Sequence, residues 1–125
     1  MTAEKIILVV DDDETILELI KDSLTDEGFT VWPERNGFEA LVTIDRLRPA
    51  LVICDVMMPR LSGLDLLKAT RNRPETRDIP FIMVSALDRA EDVQAGLALG
   101  ATDYLTKPFK ASELLGKVRH YLSNG

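Results

Sequence analysis

Leu51-Val52-Ile53-Cys54-Asp55 decides how this chain folds. Four apolar residues run straight into a carboxylate, with no polar alternation to mark a solvent-facing side. Such a run reads as a strand buried on both faces, as in the centre of a parallel sheet. Three further stretches repeat the pattern. Ile6-Ile7-Leu8-Val9-Val10 runs into Asp11 and Asp12, Phe81-Ile82-Met83-Val84 into Ser85, and Tyr104-Leu105-Thr106 into Lys107. In an open parallel sheet, side chains beyond the carboxyl ends of the strands converge on one crevice, where such folds bind ligands. Asp11, Asp12, Asp55, Ser85 and Lys107 are therefore expected to meet.

Helix-length segments separate the strands. After Asp13 the spacing of Ile16, Leu17, Ile20 and Leu24 predicts a first helix, stopped by Gly28. Phe29-Thr30-Val31-Trp32 is read as a second strand closed by Pro33. Asn36 with Glu39 opens a helix carrying Ala40, Leu41, Ile44 and Leu47, and Pro49 ends it. Ser62 with Asp65 opens a third, with Leu64, Leu67 and Arg71 along it, followed by a solvated loop from Arg73 to Asp78. Asp88 and Glu91 are the expected caps of a fourth, buried through Val93 and Leu97 and stopped at Gly100. Asp103 begins the fifth strand, and a last helix carries Leu114, Leu115, Val118, Tyr121 and Leu122. The class is α/β: a doubly wound (βα)5 unit, flavodoxin-like, with a five-stranded parallel sheet of order 2-1-3-4-5 and helices on both faces.

Size and composition fit one domain over residues 1–125. With 46% hydrophobic and 29% charged residues the chain reads as globular, and its net charge of -6 argues against direct nucleic-acid binding. No apolar run approaches the roughly 20 residues of a membrane span, and no signal peptide is read at the start. Cys54, the single cysteine, cannot form an internal disulfide and is expected to be a buried packing residue. These features point to a cytoplasmic protein. His120 is assigned to the surface and Trp32 to edge-strand packing.

The crevice chemistry follows from charge. At about 4 Å and an effective dielectric near 20, each carboxylate pair repels by roughly 4 kcal/mol. Either one acid holds a proton or a cation sits among Asp11, Asp12 and Asp55. Mg2+ suits such hard oxygen ligands and bridges to phosphate, with Mn2+ as the alternative ion. Asp13 is read as a cap of the following helix. A carboxylate such as Asp55 is a competent nucleophile toward phosphorus. Lys107 supplies a point charge and Ser85 a hydroxyl for phosphoryl oxygens. Pro108 after Lys107 makes that bond a candidate cis peptide that would aim the lysine into the crevice.

On these stretches, together with Asp55-Val56-Met57-Met58-Pro59, Ser62-Gly63, Val84-Ser85-Ala86 and Gly100-Ala101-Thr102-Asp103-Tyr104, the chain resembles a response-regulator receiver domain, the chemotaxis-type phosphoacceptor module of two-component signalling. The resemblance implies a signalling phosphoacceptor rather than an enzyme. Asp55 would accept a phosphoryl group from a sensor histidine kinase or phosphotransfer protein. Asp11, Asp12, Asp55 and the backbone carbonyl of Met57 would hold the metal. Ser85 and Lys107 would bind phosphoryl oxygens, and Tyr104 would turn inward behind Ser85. The face of the fourth helix, fifth strand and fifth helix would then control a downstream effector, a fused output domain or a phosphorylation-dependent dimer. Met57 and Leu87 would flank the phosphoryl group; both are apolar, which predicts slow hydrolysis.

Two rival readings differ in class. Asp11-Asp12-Asp13-Glu14-Thr15 also fits the D-x-D-x-T pattern of haloacid-dehalogenase-like phosphatases, with Asp11 as nucleophile and Asp13 as acid. The other is a receiver-like interaction module that is never phosphorylated.

Overall fold

The structure, a computed structural model, describes residues 5–87 and 89–122. Its elements alternate strictly: β1 (Ile6–Val10), α1 (Glu14–Asp26), β2 (Thr30–Glu34), α2 (Gly37–Leu47), β3 (Leu51–Asp55), α3 (Gly63–Arg71), β4 (Phe81–Ser85), α4 (Ala90–Ala98), β5 (Asp103–Thr106) and α5 (Ala111–Leu122). The sheet order is β2-β1-β3-β4-β5, and every pairing is parallel. The fold class read from the sequence is the one observed.

Strand side chains alternate across the sheet and so build two cores. Leu8, Val10, Val52, Cys54, Phe81 and Met83 face α2 and α3, with Val93 and Leu99 packed against the same cluster. Ile7, Val9, Leu51, Ile53, Ile82 and Val84 face Leu17, Ile20 and Leu24 of α1 and Leu114 and Val118 of α5. β3 and β4 are buried at every residue, as their unbroken apolar runs require. Each such side chain contributes about 1.5–3 kcal/mol on burial, so the sheet core outweighs any single polar contact at its rim.

Caps set the helix starts. Asp13 accepts from the N–H groups of Thr15 and Ile16, Asn36 accepts from that of Glu39, and Ser62 and Asp65 form a reciprocal capping box. The Asp88 cap expected for α4 lies outside the described residues. The N-cap is Arg89, which makes no side-chain capping bond.

Four local expectations are corrected. Pro33 lies inside β2 rather than closing it, opposite Val9. An edge strand tolerates proline because alternate N–H groups there need no ladder partner. On α2, Leu47 is 37% exposed instead of joining the buried stripe. The Arg73–Asp78 segment is not wholly solvated: Thr76 is buried and donates to the Thr70 carbonyl at 2.8 Å. On α4, Leu97 is exposed and Gly96 is the buried residue. A side chain at 96 would press on the Tyr104 ring, 3.2 Å from its Cδ2. Among the described residues no helix is long and apolar enough to cross a membrane.

Arg71 staples three segments. Its Nε donates to the Gly100 carbonyl at 2.9 Å, and its Nη1 donates to the carbonyls of Arg77 and Ile79 at 2.8 and 2.7 Å. The guanidinium lies 5.9 Å from the Phe81 ring centroid. Arg71→Ala is expected to lower the urea unfolding free energy by about 2–3 kcal/mol, because partly buried carbonyls lose a charged donor. Arg71→Lys should recover less than half, since an ammonium cannot reproduce the planar fork.

Candidate functional site

The C-terminal ends of β1, β3 and β5 bring three carboxylates and an ammonium together. Ligand oxygens of Asp11, Asp12 and Asp55 all lie within 4.8 Å of one another. Lys107 Nζ reaches Asp11 Oδ2 at 3.2 Å and Asp55 Oδ2 at 3.4 Å. Asp11 and Asp55 are only 1% and 7% exposed, whereas Asp12 is exposed. The Lys107–Pro108 peptide is cis. The Lys107 N–H bonds to the Ser85 carbonyl at 2.7 Å, tying the lysine's backbone to the end of β4.

Local turns hold the acids. Asp11 Oδ1 accepts from the Asp13 N–H at 2.9 Å, and Asp55 Oδ1 accepts from the Met57 N–H at 3.3 Å. Gly63 lets α3 start against the backbone behind Asp55. A Cβ there would sit 2.1 Å from the Asp55 carbonyl oxygen, far inside contact distance. The three adjacent acids divide their work: Asp11 and Asp12 face Asp55, while Asp13 is committed to capping α1.

Charge follows geometry. Burial, and next the Asp11 carboxylate, push the Asp55 carboxyl above the usual aspartate range; Lys107 and the Met57 N–H offset this only in part. Burial alone would lower the Lys107 ammonium, but Asp11 and Asp55 outweigh it and raise its pKa. The lysine therefore stays charged. Burial also pushes the Cys54 thiol well up, with Asp55 and Asp11 adding to the shift, so Cys54 is a packing residue and no nucleophile.

Ser85 is fully buried at the end of β4, and its Oγ accepts from the Leu87 N–H at 3.1 Å. Its hydroxyl also hydrogen-bonds the Tyr104 oxygen. Tyr104 is 9% exposed and donates its hydroxyl to the Leu87 carbonyl at 3.0 Å. It is thus already turned inward, over Gly96. Met57 is 62% exposed and Leu87 37%, each two residues beyond Asp55 and Ser85 respectively. Sequence reasoning did not find the Leu87 carbonyl as the tyrosine's acceptor, nor Gly96 as its seat. A glycine inside a helix, costing about 1 kcal/mol against alanine, was the available signal for the second. It also gave Lys107 no carboxylate partner.

The donor set fits a hard divalent cation: three carboxylates offer oxygens within 4.8 Å of one another, one of them is exposed for entry, and among the described residues the Lys107 ammonium alone is paired with them. The crowding also has a consequence for stability. Because the folded pKa of Asp55 lies above its unfolded value, the native state binds that proton more tightly. The stabilisation is complete below the ordinary aspartate pKa of about 3.9 and is lost as pH rises through the raised value. Without divalent ions, Asp55→Asn should therefore raise the urea midpoint at neutral pH, and the gain should vanish near pH 3. An equal midpoint at neutral pH would show that Asp55 carries no charge strain.

Comparison with known proteins agrees with this geometry. The family model described as response regulator receiver domain matches residues 7–119. The response regulator MprA of Mycobacterium sp. (strain KMS) is 43% identical over 116 residues, covering 93% of this chain and 50% of that protein. The chain thus spans about half the length of the curated relatives it matches. The receiver domain of Francisella response regulator 1452 superposes with a TM-score of 0.90 at 37% identity, covering 96% of this chain and 98% of that one. The chemotaxis protein CheY4 of Vibrio cholerae superposes with a TM-score of 0.89 at 33% identity, covering 95% and 99%. Sheet order, the acidic cluster and these matches agree, and the chain belongs to the response regulator receiver domain family of two-component signalling.

Proposed function

We propose that Asp55 is the phosphoacceptor of this receiver domain and that its donor is a phosphohistidine on a sensor kinase or phosphotransfer protein. The observation that carries this is the single ammonium of Lys107 shared between Asp11 and Asp55. A buried carboxylate beside a fixed cation, in a crevice with further acids, is arranged for phosphoryl transfer.

An Asp55 carboxylate oxygen attacks phosphorus. The new O–P bond forms as the P–N bond of the donor breaks, and its electron pair stays on the imidazole nitrogen. The Met57 N–H and Lys107 hold the Asp55 carboxylate in a fixed orientation. Lys107 then turns to the transferred phosphoryl oxygens, and the Ser85 hydroxyl donates to another. Asp11 and Asp12, with Asp55 and the Met57 backbone carbonyl, would hold Mg2+ or Mn2+, which would neutralise charge on the phosphoryl oxygens. Breaking the bond between Leu87 N–H and Ser85 Oγ frees the serine to move toward the phosphate. The same segment holds the Tyr104 hydroxyl through the Leu87 carbonyl, so the change passes to α4 and β5. The face formed by α4, β5 and α5 would then meet a downstream effector, a fused output domain or a second receiver.

The phosphatase reading asks Asp13 to act as a free acid. Its Oδ1 instead accepts from two backbone N–H groups as the cap of α1.

Incubation with acetyl phosphate and Mg2+ should add one base- and hydroxylamine-labile phosphoryl group to the wild type and none to Asp55→Asn. Labelling at Asp11 with turnover of phosphate esters would support the phosphatase instead. Mg2+ at about 100 times its Kd should stabilise the wild type by about 2.7 kcal/mol, with little effect on Asp12→Ala. Because Met57 and Leu87 cannot orient a water, Met57→Asn and Leu87→Glu should each speed phosphoryl loss about tenfold, or about 1.4 kcal/mol of barrier. Unchanged or slower loss in both contradicts the tuning role.

A further inference from the structure

We propose that the outward face of α2, with Trp32 of β2, is a self-association surface that pairs with the same face of a second copy of this chain about a two-fold axis. Trp32, Phe38 and Val42 are 45%, 53% and 55% exposed, and together with Glu34, Glu39, Thr43 and Arg46 they line one surface depression. Single exposed apolar residues are ordinary; three that share one depression mark a contact surface.

The helix geometry explains the grouping. At about 100° per residue, Val42 lies about 40° from Phe38, and Arg46 and Glu39 lie about 80° and 100° from it. They occupy the side of α2 turned from buried Ala40 and Ile44, with buried Thr43 at the edge of the same depression. The ring of Trp32 is already positioned: its Nε1 donates to Glu34 Oε2 at 3.0 Å, and the same oxygen accepts from Thr43 Oγ1 at 2.5 Å. The indole thus has its polar atom satisfied and little rotamer entropy left to lose on contact.

Charge selects the occupant. Glu39 and Arg46 stand about 10.5 Å apart along the axis, with Val42 between them. A dyad near Val42 sets two α2 helices antiparallel. Glu39 of each copy then opposes Arg46 of the other, the two Val42 side chains meet at the dyad, and Phe38 of each copy flanks them about 6 Å further along the axis. A two-fold contact of this kind must be self-complementary, and this stripe is. The inference does not rest on the phosphoacceptor reading.

Sedimentation velocity from about 10 µM to about 1 mM, a range suited to a small patch, tests it. The weight-average mass should rise toward twice the monomer mass. Trp32 is the only tryptophan, so its emission should shift to the blue in parallel. Val42→Glu should remain monomeric. Glu39→Arg and Arg46→Glu should each weaken association at least tenfold, since a reversal turns two attractive pairs into two repulsive ones, and the double swap should restore it. A monomer throughout the range overturns the proposal. So does a dimer indifferent to Val42→Glu, a double swap no better than its singles, or an unshifted Trp32 spectrum as mass doubles. Circular dichroism of each variant separates lost association from lost folding.

Discussion

Carboxylate crowding against one ammonium is the constraint on which the site depends. Parallel strands deliver Asp11 and Asp55 to the same rim, where burial denies them full hydration. Left alone they would repel by several kcal/mol. Lys107, delivered from the end of β5, sits between them and keeps both in place. The balance is incomplete, because three acids face one lysine, and this deficit of positive charge is what makes the rim receptive to a cation. The hydrophobic sheet beneath it tolerates the imbalance because its two cores contribute far more than the rim costs.

The same rim is joined to α4 by few but directional contacts. Ser85, Leu87 and Tyr104 form a short chain: a hydroxyl accepting from an N–H, then a carbonyl accepting from a phenol. α4 itself offers little to resist displacement. It buries only Gly96 and starts at an arginine that makes no side-chain cap. By contrast, α1, α2 and α3 are each capped by a side chain and bury several apolar residues. Low local stability is where movable elements are found. Arg71 limits how far that softness spreads, since it fixes the turn after α4 through the Gly100 carbonyl.

Strand periodicity made the architecture legible before any coordinates. Apolar runs at β1, β3 and β4 could not satisfy a one-sided sheet, and helices between them forced parallel pairing. The edges were harder to read. Pro33 looked like a terminator because proline's cost depends on whether its missing N–H faces a neighbour, which only the sheet order reveals. Thr76 looked solvated because its partner, the Thr70 carbonyl, comes from the end of the preceding helix.

For the site, the residue types and their places at strand ends were written in the chain: Asp11, Asp12, Asp55, Ser85 and Lys107 are each local consequences of where an apolar run stops. Their partnerships were not. That Lys107 bridges Asp11 and Asp55, and that Tyr104 seats on Gly96 and bonds Leu87, depend on distances between segments remote in sequence. Hydrophobic periodicity is a property of short windows, so a sequence carries it openly. Side-chain contacts across the crevice are a property of the assembled sheet and exist only after packing has fixed register and orientation.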